Sequence, residues 1–122
     1  MSHVALKLLA TSAALAALCV TTVVQAQTVR VRCESTPDRS KASVDGNNLA
    51  PGKYRALLES GDHRKKSPRQ KAVGDEAEFD FDSNTEDDAT HIGENFIKNN
   101  MVTGSILDAN GNLVVKDTVQ CD

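Results

Sequence analysis

The stretch Glu76-Ala77-Glu78-Phe79-Asp80-Phe81-Asp82 alternates acidic and apolar residues without a break. A period of two places Ala77, Phe79 and Phe81 on one side of a β-strand and the four carboxylates on the other, because successive side chains of an extended chain point to opposite faces. The chain holds three Phe, one Tyr and no Trp. Two of those rings lie in this strand, so the core is expected to form on Phe79 and Phe81. The carboxylates opposite them would follow one another at about 7 Å along the strand.

The same rhythm recurs along the chain. In 28–34, Val29, Val31 and Cys33 alternate with Arg30, Arg32 and Glu34. Residues 40–45 form a weaker strand with Ala42 and Val44 inward, and 53–59 a stronger one with Tyr54, Ala56 and Leu58 inward. A short edge strand is expected near 70–73. At the end, 101–107 and 113–121 flank Asp108-Ala109-Asn110-Gly111-Asn112, and Asn-Gly between two apolar runs is a strong hairpin signal. In the last strand Leu113, Val115, Val119 and Cys121 share the inner face, with Asp117 breaking the pattern at an expected bulge. Turns are expected at Pro37-Asp38, at Asp45-Gly46-Asn47-Asn48, at Pro51-Gly52 and at Ser60-Gly61-Asp62.

Two segments resist this reading. Residues 63–71 carry Arg64, Lys65, Lys66, Arg69 and Lys71 without an acid, and Pro68 interrupts them, so 61–68 is expected to be a loop. Ala89, Ile92 and Phe96 have helical spacing behind Thr85 and Asp88, which resemble a capping box, while Gly93 opposes a helix. The expectation is at most one short helix near 86–97, or an irregular crossover in its place. About seven short strands separated by Gly, Pro and Asn turns imply an all-β fold, an antiparallel sandwich, with a small closed barrel as the alternative.

Residues 1–26 read as a secretory signal peptide: Lys7 at the start, an apolar run over 8–24, and Val24-Gln25-Ala26 before the cut. The run is short for a membrane span and no basic stop-transfer cluster follows it. Cys19 lies inside this run, behind Leu18 where a lipidation signal has a small residue, so a lipid anchor is not expected. Residues 27–122 then form one domain, periplasmic or secreted, with no membrane span after cleavage. Losing Lys7 makes it one charge more negative than the −3 of the whole chain, which disfavours nucleic acid as a partner. Cys33 and Cys121 remain, one near each end. An even pair in an exported small domain implies a disulfide, here joining the first strand to the last. On the chain-entropy account it is worth roughly 4 kcal/mol.

The stretch Val44-Asp45-Gly46-Asn47-Asn48-Leu49-Ala50-Pro51-Gly52-Lys53-Tyr54-Arg55-Ala56, with Gly104 and the closing hairpin, resembles exported bacterial immunoglobulin-like or fibronectin-III-like modules. Such modules show a leucine, proline-glycine, tyrosine lead-in to a strand. The resemblance covers about half of the domain and departs from antibody-type domains, because the Cys pair joins the ends and Trp is missing. It implies a sandwich with a binding or structural role and no catalytic residues.

Chemistry points in three directions. Asp80, Asp82, Asn84, Asp87 and Asp88 are candidate ligands for calcium, a cation that takes six to eight oxygens. Asp80-Phe81-Asp82-Ser83-Asn84 opens like an EF-hand loop, yet Thr85 stands where that loop needs Gly and His91 where it needs Glu. The bland reading of these acids is a solvated sheet face. Arg64, Lys65, Lys66 and Arg69 are candidate contacts for an unknown protein partner, including an exported enzyme that the basic loop would inhibit. Their bland reading is cross-strand pairing with Glu76, Glu78 and Asp80. For transition metals His63 and His91 lack a ligand spacing. An enzyme is not expected, because no nucleophile elbow, metalloprotease helix or phosphate loop occurs. The expectation is therefore an exported non-catalytic binding or structural module acting through protein contacts, with cation binding at 80–88 as the alternative.

Overall fold

The computed structural model of the chain describes residues 25–85 and 88–122, so most of the expected leader lies outside the described residues. Nine strands follow in order: β1 (Thr28–Thr36), β2 (Arg39–Asn47), β3 (Lys53–Ser60), β4 (His63–Lys66), β5 (Gln70–Lys71), β6 (Ala77–Asp82), β7 (Thr90–His91), β8 (Met101–Leu107) and β9 (Leu113–Gln120). They form two sheets, β1-β2-β6-β7 and β4-β3-β8-β9, with β5 also paired to β3. Every pairing is antiparallel except the short β6–β7 contact. No helix occurs among the described residues, so none there is long and apolar enough to cross a membrane.

The expected alternation holds where one face is buried. Val31, Val44, Phe79 and Phe81 from the first sheet meet Tyr54, Ala56, Leu58, Val102 and Ile106 from the second in one core. Phe79 and Phe81 are 1% and 0% exposed, as the sequence implied. The sheets approach each other closely at Gly104. A Cβ there would stand 2.7 Å from Cγ2 of Val31 and 2.9 Å from Cγ2 of Val44, distances that leave room for hydrogen alone.

One flank of the sandwich is locked. Cys33 of β1 and Cys121, directly after β9, form the expected disulfide with their Cα atoms 4.7 Å apart. The Asp122 N–H donates to the Cys33 carbonyl at 3.0 Å, and the Cys121 N–H to the Asn100 carbonyl at 2.7 Å. Asn100 Nδ2 returns a bond to the Cys121 carbonyl at 2.9 Å.

Three expectations are corrected and one open alternative is decided. The turn expected at 45–48 begins later: β2 runs through Asn47, paired to Thr28, and the chain turns at Asn48 with φ 59°. The expected loop at 61–68 contains β4, which folds back on β3 through a two-residue turn at Gly61-Asp62, with Gly61 at φ 56°. Of the short helix or irregular crossover expected near 86–97, the described residues form the crossover: Thr90–His91 pairs with β6, and Ile92, Phe96 and Ile97 reach the core from a loop. That loop is held by two buried hydroxyls. Ser40 Oγ donates to the Glu94 carbonyl and accepts from the Ile97 N–H. Ser60 Oγ donates to the Met101 carbonyl and accepts from the Lys98 N–H. Lastly, Leu113 lies outside the core. A register shift between Ile106 and Leu107 displaces it, so the irregularity sits there and not at Asp117.

Candidate interaction surfaces

The acidic stretch separates into residues with different surroundings. Asp82 shares strand parity with Glu78 and Asp80 but is only 2% exposed. Arg39 grips it with two bonds, Nε to Oδ1 at 3.0 Å and Nη2 to Oδ2 at 2.6 Å, the planar fork that suits a carboxylate. The Asn84 N–H donates to the same Oδ1 at 2.9 Å. Both oxygens are thus engaged by the protein, which corrects the expectation that Asp82 lies on a solvated face. Asp80 is exposed and stands opposite Ser43. Asp88 is exposed, and Asp87 lies outside the described residues. No group of three or more His, Cys, Asp or Glu side chains able to hold a metal ion occurs among the described residues. His63 is occupied structurally: Nδ1 lies 2.7 Å from the Phe96 carbonyl and its ring is tilted against the Phe96 ring.

The outer face of the first sheet carries mixed charge. Register aligns Arg30, Asp45 and Glu78 in one row, Arg32, Ser43 and Asp80 in the next. Asp45 is half-buried, and its carboxyl is held above the ordinary range, first by loss of water and then by Glu78 and Asp80, against the pull of Arg32 and Arg30. Arg32 reaches it at only 3.6 Å.

The basic block takes other partners than the sequence implied. Because β4 returns along β3, Arg64 pairs with Glu59 at 3.4 Å. No ion pair joins the block to Glu76, Glu78 or Asp80 among the described residues. Arg64 and Lys66 share one face of the second sheet, Lys65 takes the opposite parity at its edge, and Arg69 is exposed between β4 and β5.

The flank opposite the disulfide is open. The Ser83 N–H donates to the Ser40 carbonyl, which makes that pair a hydrogen-bonded one. Antiparallel ladders alternate, so 42/81, 44/79 and 46/77 are hydrogen-bonded likewise. The backbone groups of Glu78, Asp80 and Asp82 therefore point away from β2. The Asp82 carbonyl accepts from the Ile92 N–H as β7 arrives, but β7 covers only Phe81 and Asp82. Around Glu78 the edge of β6 has no strand partner among the described residues. A cleft of about 380 Å³ lies along it, with Lys71 and Val73 on one bank and Glu78 and Asp80 on the other. Val73 is 83% exposed.

Comparison with known proteins finds no matching family model, no matching curated protein and no matching solved structure. The site therefore rests on its own geometry. Sequence reasoning missed the Arg39–Asp82 pair and the bare edge of β6. The first had a signal, since a tight turn at Pro37-Asp38 places Arg39 on the outer face of β2. The second had none, because it depends on how far β7 runs.

Proposed function

We propose that the protein is an exported, non-catalytic binding module of the immunoglobulin-like or fibronectin-III-like kind, acting by adding a partner's strand to β6. The observation that carries this reading is the asymmetry of the flanks: one is sealed by a disulfide, the other leaves Glu78 backbone groups facing a cleft. An exposed edge is a template for strand addition, in which main-chain bonds give affinity and side-chain pairing gives choice. Glu78 and Asp80 ask for a basic strand. They also repel a second copy of β6, whose carboxylates would stand beside their own. The disulfide fits an oxidising compartment. Where the chain crosses between the sheets, the Tyr54 hydroxyl donates to the Ala50 carbonyl at 2.6 Å and fixes the crossing.

The test is an amide-resolved NMR titration with a blocked hexapeptide alternating lysine and valine, beside one alternating glutamate and valine. The basic peptide is expected to shift amides at 77–80 and the acidic one to leave them. Asp80→Pro removes an outward N–H while sparing the β2 ladder, and should abolish the shifts with the fold intact. Equal shifts from both peptides, or shifts confined to other strands, would refute strand addition at β6.

A further inference from the structure

The outer face of the second sheet joins an apolar centre to a cationic rim. Tyr54, Ala56 and Leu58 point into the core, so Lys53, Arg55, Leu57 and Glu59 point outward from β3. Register then builds rows across the sheet. Lys66 stands beside Leu57, Leu57 beside Ser105, and Ser105 beside Lys116. In the adjoining row Arg55 stands beside Leu107, and Leu107 beside Leu113. Cross-strand partners share a face at side-chain contact distance. Leu57 and Leu107 are each 8% exposed yet lie outside the interior cluster, so they are shielded on the outside of the sandwich. Leu113, beside them, is 54% exposed.

Charge on this face departs from the rest of the chain. The protein is net acidic, with formal charge −3. Yet Arg55, Lys66 and Lys116 border the leucines, Arg64 lies further along β4, and the acid that these rows place among them is Glu59, already paired with Arg64. Arg55 keeps a buried Nε–H with no acceptor among the described residues. Such a donor is costly to leave unmade.

We propose that this face docks an acidic protein segment, which seats an apolar side chain on exposed Leu113, beside the shielded Leu57 and Leu107, and places carboxylates on Arg55, Lys66 and Lys116. The proposal is independent of strand addition at β6, which lies in the other sheet and asks for the opposite charge. Three observations select the occupant. The cations call for an anion. Exposed Leu113 calls for an apolar side chain, which a sulfated polysaccharide lacks, and an apolar contact inside a polar rim is how protein interfaces are built. A second copy is a poor occupant, because symmetric pairing sets cations against cations, and the outer face of the first sheet interleaves Arg30 and Arg32 with its acids.

The test uses the oxidised protein and three probes: a blocked decapeptide alternating glutamate and leucine, a decaglutamate of equal or greater charge, and dextran sulfate. NMR titration locates binding, and sedimentation reports self-association. The glutamate–leucine peptide is expected to shift amides of β3, β8 and β9, and to bind more tightly than either control. The double reversal Lys66→Glu, Lys116→Glu should weaken it by about tenfold or more and flatten its salt dependence. Leu113→Ser, at an exposed position, should weaken it several-fold while leaving the unfolding midpoint near the parent's. Equal binding of dextran sulfate with no effect of Leu113→Ser would overturn the proposal in favour of a polyanion. Self-association through this face would overturn it in favour of a second copy. Shifts elsewhere, or no saturable binding by the peptide, would overturn it outright.

Discussion

Asp45 shows how one carboxyl can tax the fold that surrounds it. It lies in the middle strand of the first sheet, half-buried, between two acids on β6 and two arginines on β1. Its pKa is raised, with burial the largest cause. A carboxyl with a raised folded pKa holds its proton more tightly in the folded protein than in the unfolded chain. Its ionised form therefore lowers stability. The penalty is complete above the folded pKa, and it fades as pH falls through that value towards the unfolded 3.8. Asp45→Asn removes the charge and keeps the shape. It should raise the thermal midpoint at pH 7, and the advantage should vanish by about pH 3, below the unfolded value. Arg32 offers little resistance, since its contact is long and its side chain is 58% exposed. A lower midpoint for the variant at pH 7 would mean that the two arginines outweigh burial and the acids of β6.

At the level of elements, the fold depends on hydroxyls that hold an irregular crossover. The connection from β7 to β8 buries Ile92, Phe96 and Ile97 without regular structure, so its backbone needs partners elsewhere. Ser60, at the end of β3, supplies two: it accepts from the Lys98 N–H at 2.7 Å and donates to the Met101 carbonyl at 2.6 Å. Ser60→Ala leaves both groups without it and should cost about 1–3 kcal/mol. Amide exchange should quicken over 96–101 before it does in β3. Uniform quickening across both sheets would show instead that the loop opens only with the whole molecule. This loop also marks where sequence stops being legible. β1 and β6 could be read because one face of each is buried and the other largely wet, which writes a period of two. The spacing of Ile92 and Phe96 suggested a helix because it records contact with a core, whatever the backbone does. The serines that hold the loop come from strands tens of residues away. β4 was missed for the opposite reason: an edge strand of His63, Arg64, Lys65 and Lys66 buries nothing that could betray it. The candidate site divides likewise. Arg64 and Lys66 could be singled out by charge, but their leucine neighbours come from β3, β8 and β9 and become visible only with register.

For the whole molecule, the disulfide decides which flank is available. It closes the β1–β9 side across a separation of 88 residues, leaving the β4, β5 and β6 edges on the other. A cross-link over so long a loop acts mainly on the unfolded chain, whose freedom it restricts. Cys33→Ala with Cys121→Ala should therefore lower the free energy of unfolding by roughly 4 kcal/mol. The urea dependence should carry a second signature. An unfolded chain freed of its cross-link exposes more surface, so the m-value should rise along with the fall in midpoint. Native contacts near the bond supply the contrast. The Cys121 and Asp122 amides are held by Asn100 and Cys33 carbonyls in the folded state. If these amides keep their protection in the double variant while stability falls and m rises, the bond acts on the unfolded ensemble and the flank closes by itself. If their protection is lost and m stays constant, the bond holds the flank shut in the native protein. A second edge, along β1 and β9, would then become available, and the preference for β6 proposed above would itself depend on oxidation.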